Sequence, residues 1–289
     1  MRIRQKNLFL TLWTLCLMLS AGALAQEKKY LQVHELPPQK FLLLVRYPQS
    51  VDCWLRLSGK IVHKSGRGYV KVPVKLRGRL QEHSWRFQIL LDTGEVWVIR
   101  QVFRDGIFGT SKICQRKAGK GSLTLADMML RPEDISMSFL YWTFEQEYAQ
   151  ETVSLMKCRV FRLKHPESPE WVKIWISMKY LFPVKVQWYR SAEDTTPYRE
   201  LLFRGVKELR LPSAPKLKLG VIDSVKIYGD GWKTMLTFHE IEGDIVDEEH
   251  PPPKDLFEQI LSSTSQTEDN KAGTPQVHQE KEVSKPAKE

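Results

Sequence analysis

The residues that could do chemistry are spread thinly along this chain. Its seven histidines stand at His34, His63, His83, His165, His239, His250 and His278, and no two have metal-ligand spacing on one element. HExxH, the GxSxG nucleophile elbow and the GxxxxGK phosphate loop are all absent. Cys53, Cys114 and Cys158 show no CxxC spacing, which argues against zinc and thioredoxin-type chemistry. One disulfide with one thiol left over, or three small buried hydrophobes, would each account for them. The acids Glu133-Asp134 sit at a helix start, where capping explains them. Asp244 to Glu249 reads as solvated linker, with a calcium site as the sharper alternative. A site assembled from distant residues would leave no motif, but the expectation is a non-enzymatic protein with no metal or cofactor.

Binding chemistry is better represented. The stretch from Leu123 to Trp142 reads LTLADMMLRPEDISMSFLYW and crowds Met, Phe, Tyr and Trp at helical spacing. Methionine is flexible and fills irregular space, which suits surfaces that accept varied apolar partners. The residues expected to line an apolar cavity or its lid are Met128, Met129, Leu130, Met137, Phe139, Leu140 and Trp142. Trp97, Ile99 and Trp175 join them from neighbouring strands. The plainer reading of the same residues is an ordinary core between helix and sheet.

The elements that must position this insert are almost all strands. A short helix through about Tyr47 opens at Leu36-Pro37-Pro38, with Phe41, Leu42, Leu44 and Val45 on its apolar side. Trp54 to His63 follows, with Gly59 as a candidate bulge. Tyr69 to Leu80 then alternates Val70, Val72, Val74 and Leu76 against Lys71, Lys75 and Arg77, the pattern of a half-buried antiparallel strand. Ser84 to Leu91 and Glu95 to Phe103 come next; the latter is apolar on both faces, so something covers the sheet there. Lys112 to Gly121 reads as a basic loop. After the insert, seven further strands run from Trp142 to Glu242. The total is about eleven strands, which describes one large curved antiparallel sheet, an unclosed half-barrel with short helices as a lid on its concave face.

The ends differ from this body. Residues 1–25 read as an export signal: Arg2, Arg4 and Lys6, an apolar core from Leu8 to Leu19, and Ala23-Leu24-Ala25 before the cleavage point. The apolar run is short for a membrane anchor, which needs roughly 20 residues. Residues before Cys16 lack the small side chains of a lipoprotein signal. Residues 247–289 read as a disordered acidic tail with ten acids against five bases, in which Phe257, Ile260 and Leu261 could dock as one turn. Residues 26–246 therefore carry 36 bases and 24 acids. In an exported protein such a surface suggests anionic membrane lipid or polysaccharide rather than nucleic acid, or simply a solvated basic surface.

With these elements laid out, the chain resembles the exported LolA-like family of outer-membrane lipoprotein-sorting proteins, in its less characterised branch. The resemblance rests on the hairpin from Trp54 to Leu80, the Leu125 to Trp142 element with its Pro-Glu-Asp-Ile and Phe-Leu-Tyr-Trp, the strand Met156-Lys-Cys-Arg-Val-Phe-Arg-Leu, and Gly231-Trp-Lys-Thr-Met-Leu-Thr-Phe. It implies a half-barrel with a helical lid and a periplasmic, monomeric carrier of lipid or lipoprotein acyl chains. A sensor or protein-interaction module on the same fold is the alternative.

Overall fold

The computed structural model describes residues 33–46, 52–66, 68–104 and 107–258. Residues 1–25, read as an export signal, and residues 259–289, which include Ile260 and Leu261, lie outside them. Helix α1 spans Pro38–Arg46. Strands β1 Cys53–Ser65, β2 Gly68–Gln81, β3 Ser84–Leu91, β4 Val96–Arg104 and β5 Ile107–Arg116 form a first meander. After the insert come β6 Thr143–Val153, β7 Met156–Lys164, β8 Trp171–Ser177, β9 Phe182–Tyr189, β10 Arg199–Leu211, β11 Ala214–Gly229 and β12 Trp232–Ile245.

All twelve belong to one antiparallel sheet in the order β5-β4-β3-β2-β1-β12-β11-β10-β9-β8-β7-β6. The first and last strands pair in the middle, and the two strands flanking the insert are the free edges. The insert is therefore the tie between the two edges of an unclosed sheet. Within this sheet, alternation sorts each strand by face: Leu55, Leu57 and Ile61 of β1 meet Val72, Val74 and Leu76 of β2 in one core, with lysines and arginines opposite. Gly59 does mark a bulge, where β1 slips register against β12.

Three expectations need correction. The stretch read as a basic loop begins inside a strand: Lys112 pairs with Ile99 and Arg116 with Val96 in β5. Its charges suit an edge, where lysine and arginine discourage pairing with another chain. The insert is not one amphipathic helix. It breaks into a run of turns, a five-residue helix α2 at Pro132–Ser136 and a single 3-10 turn at Ser138–Tyr141. Met129 and Met137, both with left-handed φ near +55°, stand at the breaks. In α1, Phe41 and Leu42 are buried but Leu44 is exposed, because nine residues present only a narrow stripe to the sheet.

The convex face is covered locally by residues 247–258. Glu258 and Gln88 exchange two hydrogen bonds of 2.8 and 3.0 Å, and Arg56 reaches Asp255 at 2.7 Å. Phe257 lies under the Arg86 guanidinium, and Leu256 is 3% exposed. This beginning of the acidic stretch is thus packed on β1 to β3, beside the strand whose two apolar faces called for a cover.

Candidate functional site

The concave face and the insert form one core. Leu125, Met128, Leu130, Phe139, Leu140 and Trp142 are all buried in the cluster that also holds Ile99, Phe161, Val186, Trp188, Leu201 and Phe203 from the sheet. Phe139 sets its edge against Trp188, with centroids 5.4 Å apart. The insert fills the space it was expected to roof.

Of the residues singled out in the sequence, Met128, Leu130, Phe139, Leu140, Trp142 and Ile99 come together here, with Trp97 and Met137 half-buried at its margin. Met129 does not join them: it is 47% exposed, turned outward by its left-handed backbone. Trp175 lies on the opposite, convex face. Val172, Ile174 and Ile176 take the concave positions of β8, so alternation sends Trp175 outward into a separate cluster with Cys158, Val160 and Val184. There Lys173 and Lys185 cover its ring, each 4.8 Å from the centroid.

Polar side chains of the sheet pin the insert at successive points. Glu95, buried just before β4, accepts hydrogen bonds from the Leu125 N–H at 2.7 Å and from Trp97 Nε1 at 2.9 Å. Thr234 of β12 donates to the Met128 carbonyl at 2.6 Å, with its hydroxyl also 2.8 Å from His63 Nδ1. Arg199 of β10 pairs with Asp134 at 2.7 Å. Arg131 bonds Glu170 at 2.9 Å and donates to the Tyr198 hydroxyl at 2.7 Å; burial and the Glu170 carboxylate push that hydroxyl up to about 12. Lys112 closes on Glu133 from β5. At the far end Arg46 of α1 donates to the Leu140 and Trp142 carbonyls at 2.6 and 2.7 Å. One short segment thus touches strands from both ends and the centre of the sheet, which is possible only because the sheet wraps around it.

A cleft of about 450 Å³ opens beside the insert. Trp97, Trp142, Trp188 and Leu130 supply its apolar wall, and Arg131, Asp134, Glu170 and His165 its polar rim. That volume lies in the range of small-molecule pockets, ~300–1,000 Å³. A second, more polar cleft of about 650 Å³ lies against Arg199, Tyr198, Arg190 and Tyr228.

Sequence reasoning treated Glu133-Asp134 as capping residues, and Asp134 does accept the Arg131 N–H at 2.8 Å. Its pairing with Arg199 was missed. The available signal was an arginine at a concave position of an alternating strand, since Arg199, Leu201 and Phe203 share one face. Arg46, Glu95, Thr234 and Glu170 were likewise missed, each an unremarkable residue until the fold brings it to the insert. Among the described residues Cys53, Cys114 and Cys158 are all free thiols, so no disulfide joins any two of them.

No family model matches the sequence, and no curated protein matches it. Among solved structures, the chain is similar to a DUF1329 family protein from Desulfovibrio piger, at 9% identity and TM-score 0.46, over 70% of this chain and 90% of that one. It is similar to a putative outer membrane lipoprotein-sorting protein domain from Vibrio parahaemolyticus, at 11% identity and TM-score 0.45, over 68% and 88% of the two chains. It is also similar to a LolA superfamily protein from Nitrosomonas europaea, at 11% identity and TM-score 0.45, over 78% of this chain and 98% of its counterpart.

Proposed function

We propose that this protein binds the apolar part of a lipid or a lipoprotein acyl chain on its concave face, as an exported carrier in the periplasm. In this reading the Leu123–Trp142 insert occupies that face until the ligand displaces it. The observation that carries the reading is the insert's construction. It buries Leu125, Met128, Phe139 and Leu140 against the sheet, yet its backbone belongs to no strand ladder and is held by separate side-chain pins. Such a segment can leave without unpairing a strand. Burial of each ligand CH₂, worth ~0.8 kcal/mol, offsets exposure of the insert's own side chains. The cleft lined by Trp97, Trp142 and Trp188 provides a place of entry. Among the described residues no helix is long and apolar enough to cross a membrane.

Native mass spectrometry of protein purified from its own host, with uptake of a fluorescent fatty acid, tests this reading. A co-purifying lipid and saturable uptake are expected; absence of both would sink it. The filled interior favours a second reading, a protein-interaction or sensor module in which the insert is permanent core. On that reading Phe139→Ala lowers stability and leaves lipid uptake at background, whereas displacement predicts that a weakened plug raises uptake.

A further inference from the structure

Among the described residues the most buried ion pair between insert and sheet is Arg199–Asp134, whose side chains are 3% and 1% exposed. Among the described residues both hydrogen-bond acceptors of Arg199 belong to the insert: Asp134 Oδ2 at 2.7 Å and the Met129 carbonyl at 3.2 Å, each met by Nη2. The sheet offers the guanidinium the face of Trp188, 4.9 Å to the ring centroid, with the polar cleft of Tyr198, Arg190 and Tyr228 beside it. The fit is also incomplete. Asp134 Oδ2 is shared with the Arg131 N–H, so the carboxylate is aimed by the start of α2 rather than by the arginine fork. In consequence Asp134 Oδ1 and Arg199 Nε are buried with no hydrogen-bond partner among the described residues. An unconstrained acid group would engage Nε and Nη2 together, the bidentate geometry that a planar guanidinium favours for carboxylate and phosphate alike. The two clefts meet this pair from different sides, one lined by Arg199 and the other by Asp134 and Trp188.

Displacing the insert removes the counter-charge of Arg199 and both of its hydrogen-bond acceptors, which is unfavourable for a guanidinium only 3% exposed. Whatever takes the insert's place is therefore selected for an acid group. We propose that Arg199 is the head-group site of the concave face. It binds the carboxylate or phosphate oxygens of an anionic amphiphile, and Asp134 fills that position in the unliganded chain. This inference rests on the lipid-binding reading above and names the ligand class it takes.

The test uses the full chain and measures affinities for a long-chain fatty acid, the fatty alcohol of equal chain length, a lysophosphatidic acid, acetate and inorganic phosphate. The two acidic amphiphiles are expected to bind about tenfold or more tighter than the alcohol, the factor a charge-assisted hydrogen bond supplies. Asp134→Asn weakens the docked state that every ligand must displace and is expected to tighten acids and alcohol alike, with the acid preference retained because Arg199 is still present. Removing one charge can itself unfold the chain, so the double replacement Arg199→Met with Asp134→Leu is the second variant. It leaves no buried charge unpaired and is expected to bind acid and alcohol equally. Equal affinity of the wild-type chain for acid and alcohol would overturn the head-group site while leaving chain binding intact. Acid preference surviving in the double variant would overturn its placement at Arg199. Acetate or phosphate binding as tightly as the amphiphiles would reduce Arg199 to a plain anion site. If none of the amphiphiles binds, the lipid-binding reading itself fails and this inference fails with it.

Discussion

Cys53 begins β1 beside Asp52, and its thiol is withdrawn from chemistry by its surroundings. Burial, with a further push from the Asp52 carboxylate, raises it to about 11. An unfolded thiol titrates near about 8.5. Below that value both states hold the proton and the group contributes nothing to pH dependence. Between it and about 11 the unfolded chain ionises while the folded chain does not, so stability falls as pH rises, by up to about 1.4 kcal/mol per pH unit. Cys53→Ala is expected to flatten that alkaline slope by one proton's worth in urea titrations taken across the window. Burial of Cys53 and Cys158 was legible as one of the two readings the sequence offered, whereas Cys114 is only partly buried. The partnership of Arg199 with Asp134 was not legible, because 65 residues separate them and only the pairing of β10 with β9 turns Arg199 toward the insert.

The insert shows how element-scale reasoning succeeds and fails on the same residues. Its load of Leu, Met, Phe and Trp demanded burial, and burial is what it has. Helical spacing was the wrong inference, since Met129 and Met137 take left-handed backbone and re-aim the chain twice within twenty residues. β5 was missed for a related reason: an edge strand needs only one paired side, so Gly109, Lys112 and Arg116 carry none of the apolar alternation that revealed β2. These differences translate into unequal sensitivities along the insert. Phe139 is fully buried against Trp188, and Phe139→Ala is expected to cost about 3–5 kcal/mol in urea unfolding. Met129 faces solvent, and Met129→Ala is expected to stay within about 0.5 kcal/mol of the wild type. Similar losses at both positions would mean that Met129 turns inward in solution.

At the scale of the whole molecule, the β1–β12 seam is the joint on which everything else depends. It unites a five-strand meander with a seven-strand one, pairing Cys53 with Ile245 at one end and Ser65 with Trp232 at the other. Without it the concave face would divide and the insert would lose the Thr234 pin together with half its walls. The seam is tightest at its bulge. A Cβ added to Gly59 would collide with the Thr237 carbonyl oxygen and stand 2.9 Å from the Phe238 ring, and the backbone atoms concerned are fixed by the ladder. Gly59→Ala must therefore either open the ladder or move Phe238 out of the core. The expected loss is about 3 kcal/mol or more in urea unfolding. Gly109→Ala on edge strand β5 is the matched control, because nothing lies within 4 Å of its added Cβ. It should change stability by no more than about 0.5 kcal/mol. Following both variants by tryptophan fluorescence and far-UV circular dichroism separates two outcomes. Coincident transitions at a lower midpoint for Gly59→Ala mean that the sheet unfolds as one unit through its seam. Two separated transitions would mean that the meanders keep independent stability, and the view of the seam as the common joint would have to be abandoned.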